Sequence, residues 1–346
     1  MTTESDIENR KQDHIHINIE KDVSSGVSSG FEKIQFIHEA LPELNLSEID
    51  LSQRIFGKPL PVPILISSMT GGTEEAFRIN LMLSEIAQNF GFAMGVGSQR
   101  AAIENPKIQY TFQIRKNAPD ILLFSNLGAV QLNYGYTVDH CKRAIEMIGA
   151  DGIFLHLNPL QEALQPGGDT NFSGLLNKIE NVCKLIDAPV IIKEVGWGIS
   201  EKTALRLIEV GVSGIDVAGA GGTSWSEVEH YRNNDITQAN IAASFRGWGI
   251  PTVDSIRFVR HVSPSIPLIA SGGLKDGIDI AKSIALGANL GGIAGKFIRA
   301  ASKSPVELEN MANEIIGELR IAMFAVGAKN LVDLQNGKYI HDLESK

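Results

Sequence analysis

From Pro63 onward, short apolar runs alternate with stretches of helical periodicity. The runs are PVPILISS, FAMGVGS, ILLFSNLG, GIFLHLN, PVIIKEVG, GIDVAGAGG, PLIASGG and LGGIAGK, numbered here as strands 1 to 8. Helical spacing of apolar residues falls over 74–90, 106–118, 137–148, 174–186, 200–210, stretches near 236–262, 276–286 and 304–327. Strands that alternate with helices predict a parallel sheet. Eight β/α units within roughly 240 residues fit an α/β fold of the closed (β/α)8 type, the TIM barrel, which typically takes ~250. A doubly wound sheet fits less well, because no G-x-G-x-x-G follows the first strand. The chain therefore divides into an N-terminal arm and lead-in or lid over 1–62 and a barrel over 63–346.

The segment before the barrel is of another character. Residues 1–30 are polar and end in VSSGVSSG, which predicts a mobile arm. The arm carries RKQDHIH, a basic cluster that reads either as solvated surface or as a device folding over an anion. Residues 36–62 hold short apolar pieces broken by Pro42 and Pro61, the pattern of a small β lead-in at the barrel's base.

Composition narrows the function. The formal charge of −9 disfavours nucleic acid as the main partner. Only Cys141 and Cys183 occur, without a C-x-x-C, which fits a reducing cytoplasm and leaves no cysteine zinc site. The polar N-terminus predicts no signal peptide, and no apolar run reaches the ~18 residues of a membrane span. The expected partner is a small molecule.

In a parallel barrel the C-terminal strand ends converge on one site. Strand 4 alternates, so Phe154, His156 and Asn158 share a face opposite Ile153, Leu155 and Leu157. Polar groups thus appear as it ends, and Pro159 stops it, with Gln161 and Glu162 in the following loop. Other ends supply Ser67, Ser68, Met69, Thr70; Ser98, Gln99, Arg100; Asn126; Lys193; Gly221, Gly222, Thr223; Ser271, Gly272, Gly273; and Ala294, Gly295, Lys296. The glycine turns after strands 7 and 8 are where barrels hold phosphate. Lys193 shares a face with Ile191 and Val195, and an inward lysine must meet an anion or lose its charge. It reads as a Schiff-base lysine, as a cation beside an anionic cofactor ring, or as one half of a buried pair with Asp216. A phosphate grip with an interior cation points to FMN.

With RKQDH at 10–14, SSMTGG at 67–72, GSQR at 97–100, HLNPLQE at 156–162, KEVG at 193–196, GGTS at 221–224, and the SGG and AGK turns, the chain resembles the type 2 isopentenyl-diphosphate isomerases. HLNPLQE and RK-x-x-H carry the resemblance most specifically; the glycine turns are shared by many FMN barrels. The resemblance implies a (β/α)8 barrel that uses FMN and Mg2+ to interconvert isopentenyl and dimethylallyl diphosphate. It implies that Ser68, Met69, Thr70, Ser98, Asn126, Lys193 and Thr223 hold the flavin ring and ribityl chain. Gly272, Gly273, Ala294 and Gly295 then hold its phosphate. Arg10, Lys11, Ser98, Gln99, Arg100, His156 and Asn158 surround the diphosphate, Gln161 faces the reacting carbons, and Glu162 binds Mg2+. His156, Gln161 and Lys193 are the catalytic candidates. NAD(P)H is implied as the reductant, reduced FMN as the active form, and a homo-oligomer of four or more subunits as the assembly. The base is left open among flavin N5, Gln161 and water.

Two rival chemistries lack their residues. A 2-hydroxy-acid oxidase on the same barrel needs a His base with an Arg clamp after strand 6, and SFRGWGIP holds no His. An IMP-dehydrogenase-like enzyme needs a Cys that GAGGTSW lacks. A non-enzymatic flavin or phosphate sensor would explain the glycine turns but not HLNPLQE or the basic arm.

Overall fold

The computed structural model describes residues 4–343, with side chains for Lys11 and for 13–343. Eight parallel strands close into a barrel in chain order. They are Ile64–Ile66, Ala93–Gly95, Leu123–Gly128, Gly152–His156, Val190–Lys193, Gly214–Asp216, Leu268–Ser271 and Leu290–Ile293. Closure is between strands 8 and 1, with Gly292 opposite Leu65. Strand 3 stays in the ladder to the end of its run at Gly128, whereas the other runs extend past their strands, so that their C-terminal residues turn into the site.

The surrounding helices begin and end where the sequence provides stops. Glu74–Phe90 is capped by the Thr73 hydroxyl, which accepts from Ala76 N–H, and it ends at Gly91 in the left-handed region. Asp276 caps Gly277–Ala285 and Ser304 caps Pro305–Val326 in the same way. Their apolar faces cover the outside of the barrel in one continuous core. No described helix is long and apolar enough to cross a membrane.

A second cluster fills the barrel's lower interior: Leu65, Phe124, Phe154, Ile191, Ile269 and Leu290 from the strands, with Ile55 and Leu60 from the lead-in. The lead-in is a hairpin, Gln53–Ile55 against Lys58–Leu60. Its two-residue turn, Phe56 and Gly57, has φ of 49° and 79°. A bulky residue resists positive φ, but here the turn pushes the Phe56 ring onto Phe124, edge-on at 5.8 Å. The ring is partly buried there, so it gains part of the ~1.5–3 kcal/mol of a fully buried side chain. The hairpin therefore packs onto the base of the barrel interior. Ile34–Phe36 pairs antiparallel with Ile340–Asp342, so the lead-in is also tied to the chain's far end.

Three sequence expectations need correction. The arm is not loose: Glu4–Glu20 is one helix, and Ile15 is buried under it. VSSGVSSG is pinned across the mouth of strand 6, where Ser25 N–H donates to Gly222 O and Ser224 N–H to Val23 O. The 106–118 helix is instead a five-residue helix, Arg100–Glu104, and a 3-10 stretch, Pro106–Phe112. Pro106 drives Asn105 into extended backbone and splits the two. Finally, Gln161 and Glu162 lie on a short helix, Pro159–Leu164, rather than in a loop, since proline starts helices well at the first position.

Candidate active site

The strand ends open into one cavity of about 670 Å3. That lies within the ~300–1,000 Å3 of small-molecule sites. Its floor is Lys193, buried where strand 5 meets strand 6, directly opposite Asp216 in the ladder. Lys193 Nζ stands 3.0 Å from Asp216 Oδ2. That oxygen has no well-aligned hydrogen bond, so the contact is ionic in character. Lys193 Nζ also donates to Ser271 Oγ at 3.4 Å, and Ser271 Oγ donates to Asp216 Oδ1 at 2.6 Å. Of the sequence alternatives for Lys193, the buried pair is thus present. Lys193 still lines the cavity, so the pairing does not remove it from a ligand's reach.

Strand 4 supplies the next side chains. His156 stands beside Lys193 in the ladder, and its Nδ1 is 2.7 Å from Asn126 Oδ1. An oxygen there requires the proton on Nδ1 and leaves Nε2 as an acceptor. Burial, helped by the Lys193 charge, pushes the imidazole down from 6.5 to about 4. His156 is therefore neutral near pH 7. Its contribution to stability is fully present above about pH 6.5 and is lost as pH falls towards 4. An NMR titration of the ligand-free protein should find the His156 ring neutral down to pH 5; a midpoint near 6.5 would contradict the burial of the ring beside the Lys193 charge.

The helix that follows holds an amide and carboxylate cluster. Asn158 Nδ2 donates to Glu162 Oε1 at 2.9 Å and to Gln161 Oε1 at 3.2 Å. Glu162 Oε2 accepts from Gln165 Nε2 at 2.7 Å and from Asp169 N–H at 2.6 Å. Asn158 Oδ1 is buried with no partner. An orphaned amide oxygen beside a carboxylate is a hard-oxygen set of the kind Mg2+ takes, with water and ligand oxygens completing it. Among the described residues no group of three His, Cys, Asp or Glu could hold a metal by itself. The residues fit a cation whose remaining ligands come from water and a bound molecule, not a closed protein cage.

On the far side are the features a flavin needs. Ser67 and Ser68 present buried hydroxyls without partners at the end of strand 1. Met69, Thr70, Ser98, Asn126 and Thr223 line the same cavity, as do Gly272, Gly273, Ala294 and Gly295. Gly272 has φ of 102°, and a Cβ there would lie 2.1 Å from Gly219 O. The glycine turns thus stack backbone on backbone, which keeps N–H groups bare for an anion. Lys275, Lys296 and Arg299 also line the cavity. Arg299 escaped the sequence reading, although it sits one helical turn beyond Gly295, with its guanidinium 3.2 Å from where a Gly295 Cβ would be.

The arm closes the opposite rim. Lys11 Nζ donates to Gly71 O at 2.6 Å and to Ser98 O at 3.2 Å and lies over the Phe112 ring. His14 Nε2 meets the buried Glu229 at 3.3 Å, and Glu229 also holds Arg232. Burial pulls the Glu229 carboxyl up, but the hydrogen bond to His14 and the Arg232 guanidinium outweigh it and hold it below the usual carboxylate range. Arg10 lies on the arm helix, but its side chain is outside the described residues. Arg100 lines the cavity with its guanidinium on Glu104 at 2.9 Å and Asp169 at 2.6 Å.

One predicted residue turns away. Gln99 is fully buried, donates to Ala144 O at 2.9 Å and accepts from Asn126 N–H at 3.0 Å. It braces strand 3 against the helix layer and has no face on the cavity. The first position of Arg100–Glu104 gives its neighbour the outward direction, which the linear motif GSQR could not show.

Over 338 residues, 97% of each chain, this sequence is 50% identical to the isopentenyl-diphosphate delta-isomerase of a Nostoc species. The chain belongs to the isopentenyl-diphosphate delta-isomerase family. The Rickettsia bellii member is 52% identical over 333 residues, covering 95% of this chain and 96% of its own. Membership in this family makes the chain an enzyme and removes the sensor reading. The model of FMN-dependent dehydrogenases matches residues 161–341, more than half of the chain, and supports FMN as the cofactor. Solved structures agree on the fold: a Pediococcus acidilactici lactate oxidase at TM-score 0.67 (16% identity; 99% of this chain and 95% of that one) and a flavocytochrome b2 at 0.68 (17%; 99% and 87%). At such identity only the barrel is shared. Among the described residues the cavity's histidines are His14 and His156. His230, after strand 6, is turned onto Ala239 O instead.

Proposed function

We propose that this chain interconverts isopentenyl and dimethylallyl diphosphate, using Mg2+ and a bound FMN that must be reduced, with NAD(P)H as the reductant. One observation carries the reading. A single cavity joins a bare-backbone phosphate end with unpartnered hydroxyls to an end built of cations, amides and one buried carboxylate. Ser68, Met69, Thr70, Ser98, Asn126, Lys193 and Thr223 would hold the ring and ribityl chain, and Gly272, Gly273, Ala294 and Gly295 the phosphate. When bound and reduced, FMN would supply an electron-rich face and a transferable proton.

The chain's own residues do the rest. Lys11 and Arg100, with Arg10 from the same arm, neutralise the diphosphate. A diphosphate reaching His156 would favour a proton on its free Nε2. Gln161, held by Asn158, presents its amide where the alkene carbons would lie. The arm helix and the plugged base keep water from a cation-like centre. Turnover measured together with flavin absorbance tests the whole reading.

Glu162 is assigned to the metal. Glu162→Gln puts an NH2 where both carboxylate oxygens now accept from N–H donors. One donor is then left facing a donor, at a cost of about 1–3 kcal/mol in stability. The Mg2+ concentration for half-maximal activity should rise at least about tenfold, ~1.4 kcal/mol. A variant with an unchanged Mg2+ titration would place the ion on the diphosphate alone.

A further inference from the structure

We infer that Asp216 is the positioning residue that holds the Lys193 ammonium in the cavity, and that it thereby sets how readily the bound flavin is reduced. The inference rests on the flavin reading above.

Asp216 is fully buried and does not line the cavity, so neither cofactor nor substrate can meet it. Its influence must pass through a neighbour. Its Oδ1 is pinned by two neutral donors, Ser271 Oγ at 2.6 Å and Ala218 N–H at 3.3 Å. Ala218 holds a φ of 36°, a left-handed conformation that a non-glycine residue adopts only at a cost. Strands 6 and 7 thus fix the carboxylate from two sides and turn Oδ2 towards Lys193. A lysine ammonium has three N–H groups. The Asp216 Oδ2 charge at 3.0 Å and the Ser271 hydroxyl at 3.4 Å hold the ammonium on one side, which leaves N–H capacity facing the cavity that Lys193 lines.

No neighbouring group replaces Asp216. His156, next to Lys193 in the ladder, brings no negative charge. Glu194 follows Lys193 directly, but its Oε2 is bound by the N–H groups of Val195, Gly196 and Trp197, each at 2.6 Å. An ammonium left without its carboxylate in a water-poor barrel gives up its charge or turns away. In either case the flavin loses its cation. The alternative is that Asp216 merely offsets the charge of Lys193, and it predicts a shift of the opposite sign.

The test is the FMN midpoint potential of four holoproteins: wild type, Lys193→Met, Asp216→Asn and the double variant. Lys193→Met and Asp216→Asn should each favour oxidised flavin at least tenfold, about 30 mV more negative for a two-electron couple. The double variant should match Lys193→Met alone, because Asp216 acts only through Lys193. A positive or absent shift in Asp216→Asn overturns the inference, as does a double variant showing the sum of both. If Asp216→Asn does not fold, Ser271→Ala keeps both charges and removes the donor to Oδ1. It should give a smaller negative shift that vanishes in the Lys193→Met background, and no shift overturns the inference. Wild-type protein that cannot be loaded with FMN would overturn the flavin reading itself, a separate outcome.

Discussion

Anaerobic reduction of the FMN-loaded protein is expected to take conversion of isopentenyl to dimethylallyl diphosphate from background to full rate, with no reductant consumed per turnover. The double-bond shift adds one proton and removes another, and it leaves the oxidation state of the substrate unchanged. Oxidised flavin is electron-poor and carries no proton on N5, so it cannot serve a cation-like centre; reduced flavin can. The cavity suits this use of a flavin. Its described histidines are a neutral His156 bonded to Asn126 and a His14 bonded to Glu229. His156, pushed down to about 4 by burial, is a weak base despite its free Nε2, and His14 is engaged by Glu229. In D2O the product should gain deuterium while the absorbance stays that of reduced flavin through many turnovers. Equal activity of the oxidised protein, or one flavin reoxidised per product, would refute the proposal.

Removal of the arm should have the second largest effect. Deleting residues 1–20 takes away the Lys11 ammonium, the apolar seal of Ile15, and the His14 contact to buried Glu229. It also frees Thr223, whose hydroxyl donates to Asn18. The diphosphate would then meet an open, wetter rim with fewer cations. KM should rise at least about 30-fold, roughly 2 kcal/mol. kcat should fall as well, because water reaches the reacting carbons. FMN should remain bound, since the proposed phosphate turns belong to strands 7 and 8, which the deletion leaves in place. Steady-state kinetics at matched flavin content measure this. Unchanged KM would take the arm out of the site. Lys11→Met is the narrower comparison, because it leaves the helix in place.

Local pattern alone determined a great deal. Alternating apolar runs and helical periodicity specified eight β/α units, and the barrel closes in that order. Periodicity of two within strand 4 also specified that Phe154 and His156 face inward, with Phe154 in the interior cluster. Glycine and hydroxyl residues at strand ends were legible because barrel chemistry always gathers there. HLNPLQE was legible as a motif, yet its helix was not. A proline after a polar strand end is equally consistent with a loop, and only the packed Asn158–Glu162 contacts decide for the helix.

Other features were decided by tertiary structure, for a physical reason. The arm looked mobile because its composition is polar and its helix buries little of its own surface. Its order comes from groups far along the chain, such as Glu229, Thr223 and the carbonyls of Gly71 and Ser98. Gln99 and Arg100 are adjacent in one motif, and a helix start sends one into the wall and the other into the cavity. The sequence left Lys193 between three roles, since a strand position tells which way a side chain points but not what it will meet. The ladder register between strands 5 and 6 brings Asp216 opposite it, and strand 7 brings Ser271 across. Periodicity is a property of neighbours in the chain, whereas the partner of a buried charge is chosen by register and closure, which exist only once the barrel has formed.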